Sequence, residues 1–542
     1  MKHIKARPWA RALPHAVAGT LVVTSLASGP ATANTGGYQP SFEVVSCDEQ
    51  QFAGRVPAGA DAECGLLNVP EDRTLPMAEG NVVVLPVVVF QATTVSPQPD
   101  PVVLLAGGPG GSGIDQYAHS GAGLSGWVQA LNEQRDVILL DTRGTGTAQP
   151  SLACRDDELD TNGSLAALYL QFETTDDPVT ERALLDQAYA DCAASRRAAG
   201  VDLDQYDTPT VARDLGDLRQ ALGISRWNVY GVSAGTTVAL ELLRQQPGGQ
   251  RSVMLDSTYP AFTAIDPASV VAMRKASLRA VIEAAGLEVE AVESSLAAIQ
   301  ARYDPDTGTP YPATDPFIGD RLDQLQLTGD DAVWMLWFTT WIPDLTPLLG
   351  LFVANLQHYD VATGQPAALS LEPIFGPGIE TFFDFFLSWM YPGLKNLDSA
   401  DGHWIAVECA DRAQLSDPAD YAAVMQDEPI YGATLLTLPT FPNVCQQVDV
   451  DPVPDRTYRI HQTGVPSLML AGSLDTLRTP PTVQKQVSDK LGPWSQYVEV
   501  PRAAHAVARD TATDPASLCA GQMITSFIET PRQPVDTSCI GD

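Results

Sequence analysis

Between residues 226 and 246 the chain passes from an apolar stretch, Arg226–Val232, through Gly231-Val-Ser233-Ala-Gly235, directly into a helix-forming stretch, Ala234–Gln246. No separate loop divides the strand from the helix, so Ser233 must sit on the turn itself. A turn that sharp strains its central residue and demands glycine where backbones pack closely on either side. Gly-x-Ser-x-Gly alone is a weak signal, because composition produces it by chance; its strand–turn–helix context is what constrains the fold.

The surrounding chain extends that alternation. Val82–Phe90, Val102–Ala106 and Asp136–Leu140 are apolar runs bounded by Pro, Gly or turn residues, and read as buried strands. Val211, Leu215, Leu218 and Leu222 recur at helical spacing between Thr208 and Gly223, with Pro209 near the start and Gly223 past the end. Arg251–Asp256 is a further strand. The pattern resumes with strand Val465–Ala471, helix Pro480–Leu491, strand Tyr497–Val500 and helix Pro515–Glu529. Strands alternating with helices predict an α/β fold, its mostly parallel sheet covered by helices on both faces.

Residues 257–460 break the pattern. They hold helical stretches such as Ala268–Ala301, Pro-rich joints, and aromatic clusters from Trp334 through Trp337 to Trp341 and from Phe382 to Tyr391. This block reads as a helical cap inserted into the sheet domain. Its aromatics are either the core of that unit or a wall facing a ligand.

The first residues have the order of a secretory signal peptide: Lys2, Lys5, Arg7 and Arg11, an apolar run Ala16–Ala27 too short to span a membrane, then Ala31-Thr-Ala33. Cleavage after Ala33 predicts a secreted or periplasmic protein without stable membrane insertion. The division that follows is 1–33 signal peptide, 34–256 first part of the core, 257–460 cap and 461–542 C-terminal part of the core. The 542-residue chain carries a formal charge of −34, and −38 once a signal segment with four cations and no acid is removed. Such acidity argues against nucleic acid or an anionic membrane as partner. All eight cysteines lie beyond the signal segment, and an even count in an exported chain predicts disulfides, most simply between sequence neighbours: 47–64, 154–192, 409–445 and 519–539. Cys-x-x-Cys, His-Glu-x-x-His and the phosphate-loop motif are absent, so no metal or other cofactor is expected. Oligomeric state is left open.

Serine is a poor nucleophile until a base takes its proton. Five histidines remain after residue 33. His119 precedes the serine, His358 and His403 fall in the inserted block and His461 stands at its very end, ahead of the late strands, which leaves His505, in the loop after the final strand. The acid that orients it should end a late strand. Asp475 does so, and Asp256, at the end of the strand after the serine's helix, is the alternative. Gly107-Gly-Pro-Gly-Gly-Ser-Gly113 follows the strand Val102–Ala106. A backbone N–H from this loop, at Gly108, with that of Ala234 would stabilise a developing oxyanion. A rival reading takes Gly108–Gly113 as a Gly-x-Gly-x-x-Gly dinucleotide fingerprint with Glu133 or Asp136 downstream, and leaves Ser233, Asp475 and His505 without a role.

These motifs, in this order, resemble the exported tripeptidyl and prolyl aminopeptidase family of α/β-hydrolases. The likeness runs through the glycine loop, Asp141-Thr-Arg-Gly-Thr-Gly146, Ala212–Gly223, Ser-Ala-Gly-Thr at the turn, Val253-Met-Leu-Asp256 and Ala471–Pro480. It implies an α/β-hydrolase fold, a Ser233–Asp475–His505 triad, and a helical cap that binds the free amine of a peptide through acidic side chains. Departures lie at Ala234, where the family is usually bulky, at Ser257-Thr258 after Asp256, and at Ala504 and Ala506 beside the histidine. In His403-Trp-Ile-Ala-Val-Glu-Cys-Ala-Asp411, Glu408, with Asp411 as second choice, is the expected anchor of the substrate ammonium, which needs a carboxylate once desolvated. The expected reaction is acyl transfer to water from a peptide with a free N-terminus; a carboxylesterase needs the same triad, and a non-catalytic binding protein is the remaining reading.

Overall fold

A computed structural model describes residues 38–540 except 58, 78, 120–122, 125, 155–177, 285, 305–310, 313–325, 340–358, 361–364, 367–399, 417–420, 436–440, 442, 476–478 and 509–514. The expected signal peptide, Trp341 and the aromatic run 382–391 lie outside the described residues.

Nine strands form the main sheet: β1 (Ser41–Val45), β2 (Ala62–Pro70), β3 (Val82–Phe90), β4 (Val102–Leu105), β5 (Val137–Leu140), β6 (Trp227–Val232), β7 (Gln250–Asp256), β8 (Ser467–Gly472) and β9 (Ser495–Val500). Their spatial order is β1-β2-β3-β5-β4-β6-β7-β8-β9. The first three pairings are antiparallel, and the five from β5 to β9 are parallel. The parallel strands need crossovers, which helices supply. These are α1 (Gly113–Tyr117), α2 (Gly126–Asn132), α3 (Pro178–Ala198), α4 (Thr208–Ala221), α5 (Ala234–Gln245), α6 (Pro267–Ala284), α7 (Val289–Arg302), α8 (Gly329–Thr339), α9 (Asp401–Arg412), α10 (Pro481–Leu491) and α11 (Pro515–Glu529), with shorter turns between them.

β4 to β8 are buried along almost their whole length, as parallel strands covered on both faces must be. One face packs Leu104, Tyr230 and Met254 with Trp127 of α2 and Phe527 of α11. The other packs Val103, Val229 and Leu255 with Leu215 of α4, Leu242 of α5 and Val487 of α10. The α/β class and the expected strands are therefore present, with ends within about two residues.

β1 and β2 were not expected from the sequence. Gly65, Asn68 and Pro70 give β2 poor strand propensity, and its pairing with β3 over nine residues overrides that. Between β7 and β8 the described regular elements are helices, apart from two-residue bridges. Trp334 and Trp337 are buried in α8, and the guanidinium of Arg274 lies 3.6 Å from the Trp337 ring centre, so these two are core residues. No helix of the described residues is long and apolar enough to cross a membrane.

All eight cysteines pair as sequence neighbours: Cys47–Cys64, Cys154–Cys192, Cys409–Cys445 and Cys519–Cys539. A thiol reagent added to denatured, unreduced protein is expected to titrate no free thiol. Recovery of two or more per chain would overturn the pairing.

Candidate active site

Ser233 lies between β6 and α5 with φ 53°, in the left-handed region that side chains rarely adopt. Both flanking glycines are required by contact. A Cβ on Gly231 would lie 2.6 Å from the Gly235 carbonyl oxygen, and one on Gly235 would lie 2.5 Å from that of Leu105. The strand–turn–helix seen in the sequence is thus a nucleophile-elbow geometry. Ser233 is buried, 8% exposed.

The glycine loop after β4 runs alongside. A Cβ on Gly107 would approach the Ser233 Cβ to 3.2 Å and its Oγ to 3.8 Å. The Gly107 N–H is taken by the Gln116 side chain at 3.2 Å. The N–H of Ala234, first in its helix, has no intrahelical acceptor, and the helix dipole adds positive potential there. Gly108, with φ 123°, is the next loop residue along. A pyrophosphate finds no glycine-loop helix of useful length here, because α1 is five residues long.

His505 and Asp475 meet: Nδ1 lies 2.9 Å from the Asp475 Oδ1. Asp475 is 2% exposed and also accepts from the Gln484 amide at 3.4 Å, while Gln484 Oε1 accepts the N–H of Thr258 at 2.8 Å. Asp256, the alternative acid, is engaged otherwise. Its fully buried carboxylate accepts the N–H groups of Val507 and Ala508 and the Tyr230 hydroxyl, each at 2.8 Å, and Ser257 Oγ accepts the N–H of Ala506 at 2.8 Å. Asp256 and Ser257 therefore clamp the backbone that carries His505, a role not legible in the sequence. Among the described residues no hydrogen bond reaches the Ser233 Oγ; such contacts are commonly long in a free enzyme and shorten when substrate binds.

A cleft opens between the glycine loop, the start of α5 and helix α9, lined by Gly107, Ala234, Thr237, His403, Val407 and Arg412 among others. Glu408 and Asp411 do not line it, which corrects the expectation that they anchor an amine. Both are 0% exposed. Glu408 accepts from the Tyr259 hydroxyl at 3.1 Å and from Arg412 at 3.5 Å. Asp411 accepts from the Thr208 hydroxyl at 2.6 Å, with Arg412 3.7 Å away. Burial pushes the Asp411 carboxyl up to about 7, against the pull of Arg412. The partner was visible in the sequence: Glu408 and Arg412 are i,i+4 on one helix, the spacing of an intrahelical ion pair. The wall thus presents Arg412 and His403. Burial holds the His403 imidazole down to about 3, so it is neutral. A larger hollow, lined by Arg226, Arg251 and Arg532, opens beside Gln250 at the start of β7, far along the strand from the elbow, and contains none of these groups. No cluster suited to a metal ion occurs among the described residues.

Comparison with known proteins agrees with this architecture. Residues 100–280 match the family described as alpha/beta hydrolase fold, and residues 429–539 match the family described as TAP-like protein. The serine protease Hip1 of Mycobacterium tuberculosis is 28% identical over 229 residues, 42% of this chain and 40% of its own. The tripeptidyl aminopeptidase of Streptomyces coelicolor is 30% identical over 196 residues, 36% of this chain and 35% of its own. The similarity spans about two fifths of the length of these relatives.

Proposed function

We propose that this α/β-hydrolase with a TAP-like C-terminal region is an exported serine hydrolase that releases residues or short peptides from free peptide N-termini through an acyl-enzyme. The observation that carries the reading is the Asp475–His505 pair beyond the C-terminal ends of the parallel strands, the same end at which the strained, glycine-flanked Ser233 follows β6. Export is supported by the leader-like order of residues 1–33 and by four disulfides. Two similar proteins, named a serine protease and a tripeptidyl aminopeptidase, favour peptides as substrate.

In this reading Ser233 Oγ attacks the scissile carbonyl as its proton passes to His505 Nε2. The Nδ1–H, held by Asp475, fixes the tautomer and supports the imidazolium. The N–H groups of Gly108 and Ala234 receive the oxyanion in a site where fixed dipoles need no reorganisation. His505 then protonates the departing amine, activates a water, and the acyl group leaves Ser233 as the free acid.

One observation favours a second reading, a carboxylesterase with the same machinery: the carboxylates of α9 are already satisfied by Arg412, Tyr259 and Thr208. Chromogenic tripeptide amides with free and N-acetylated termini, beside a p-nitrophenyl ester, separate the two. An aminopeptidase should lose about 10- to 100-fold in kcat/KM on acetylation, the scale of one lost charged hydrogen bond. Equal turnover of both amides, or turnover of the ester alone, would replace the aminopeptidase reading with the esterase.

A further inference from the structure

The glycine loop is braced from a part of the chain that no motif marks. Arg55 lies between β1 and β2, in the segment closed by the Cys47–Cys64 disulfide, and Phe52, one helical turn before it, is fully buried in the core. Its guanidinium spans four side chains around the far end of the glycine loop. Nε donates to Asp115 Oδ1 at 2.7 Å, while the two hydrogens of Nη2 are shared among Asp115 Oδ2 at 2.9 Å, Asp141 Oδ2 at 2.7 Å and Ser112 Oγ at 2.6 Å. Nη1 donates to Thr147 Oγ1 at 2.6 Å. Ser112 in turn donates to Asp141 Oδ1 at 2.7 Å and caps α1 by accepting the N–H of Asp115 at 3.0 Å. Asp141, completely buried after β5, also accepts the N–H of Thr147 at 3.0 Å.

We infer that Arg55 is a positioning residue for oxyanion binding: through Ser112 and Asp141 it fixes the backbone of residues 107–113 relative to Ser233. The inference rests on the serine-hydrolase reading. One end of the loop is fixed by β4 and the other by this cluster, so the Gly108 N–H between them takes its position from both. A planar, always-charged guanidinium suits the task, because its rigid fork satisfies two carboxylates and a hydroxyl at once. Without it, Asp141 keeps a buried charge and loses its cation. The loop then re-forms around a different hydrogen-bond pattern, and a displacement of about 1 Å in a reacting geometry is worth about a hundredfold in rate.

The test compares wild type, Arg55→Met, Arg55→Lys and Ser112→Ala on a chromogenic ester, with KM and the affinity of a boronic-acid inhibitor, which takes the tetrahedral form at Ser233. Arg55→Met is expected to lower kcat by about 10- to 100-fold. KM should stay within about twofold, boronate affinity should fall in step with kcat, and Arg55→Lys should lie between Met and wild type. Millimolar guanidinium should restore part of the kcat of Arg55→Met and none in wild type. A wild-type kcat in Arg55→Met, or a change in KM alone, overturns the inference. If Arg55→Met does not fold, Ser112→Ala decides: it keeps the ion pairs, and an unchanged kcat and boronate affinity would overturn the proposal. Failure of the underlying reading is separate, since it appears as activity surviving in Ser233→Ala with Arg55 intact.

Discussion

Ser233→Ala is expected to be inert and well folded. Removing the serine of a triad costs about six orders of magnitude in kcat, because base and oxyanion hole then have no acyl acceptor to serve. Stability should hardly move: alanine tolerates φ 53° about as poorly as serine, and no hydrogen bond to the Ser233 Oγ occurs among the described residues to be lost. Labelling by a fluorophosphonate should vanish with activity, while the thermal midpoint stays within about 2 °C. Labelling that persists in the variant would place the nucleophile elsewhere.

Asp475→Asn should be the next most damaging change, and its contrast with Asp256→Asn distinguishes the two acids. An asparagine at 475 presents an amide to His505 Nδ1 and stabilises the tautomer with its proton on the wrong nitrogen, which costs about 10⁴ in kcat in triads of this kind. At 256 the effect belongs to stability. Each carboxylate oxygen there accepts a backbone N–H, from Val507 and from Ala508, and an amide can accept at one of the two oxygens' positions. A buried donor left without an acceptor costs about 1–3 kcal/mol. The Asp256 variant should therefore unfold at lower urea concentration and lose far less than 10⁴ in kcat. A larger rate loss at 256 than at 475 would make Asp256 the orienting acid.

Much of this arrangement could be read from local pattern. Most strands from β3 onward carry an apolar run bounded by Gly, Pro or Asp, which composition marks. Ser233 and His505 follow from motif context and elimination. What stayed hidden depends on partners distant in sequence. β2 is a strand because Cys64 to Pro70 pair with Val82 to Val88, with no strand signal of its own. Asp256 looked like a second candidate acid because a sequence shows a carboxylate at a strand end but not the two N–H groups of residues 507 and 508 that fill it. Glu408 looked available because a ligand anchor and a buried ion-pair member have the same residue type, and burial decides between them. Arg55 lies in a segment of no distinctive pattern, 86 positions from Asp141.

The disulfides divide the chain in a way the fold conceals. Cys47–Cys64 and Cys154–Cys192 lie before residue 193, and Cys409–Cys445 and Cys519–Cys539 lie after residue 408. No covalent bond other than the backbone joins the two sides, so one cut anywhere from 193 to 408 leaves two separate polypeptides. A cut between 257 and 408 leaves the elbow serine and glycine loop on one and Asp475 and His505 on the other. What then unites them includes the ladder of β7 with β8, from Val253 opposite Ser467 to Asp256 opposite Leu470, the clamp of Asp256 on residues 507 and 508, and the packing of α11 against α2 and the sheet. Cut there, the two fragments carry complementary parts of the candidate site, and the two-strand sheet piece of the second meets the first where β8 runs parallel to β7 over four residue pairs.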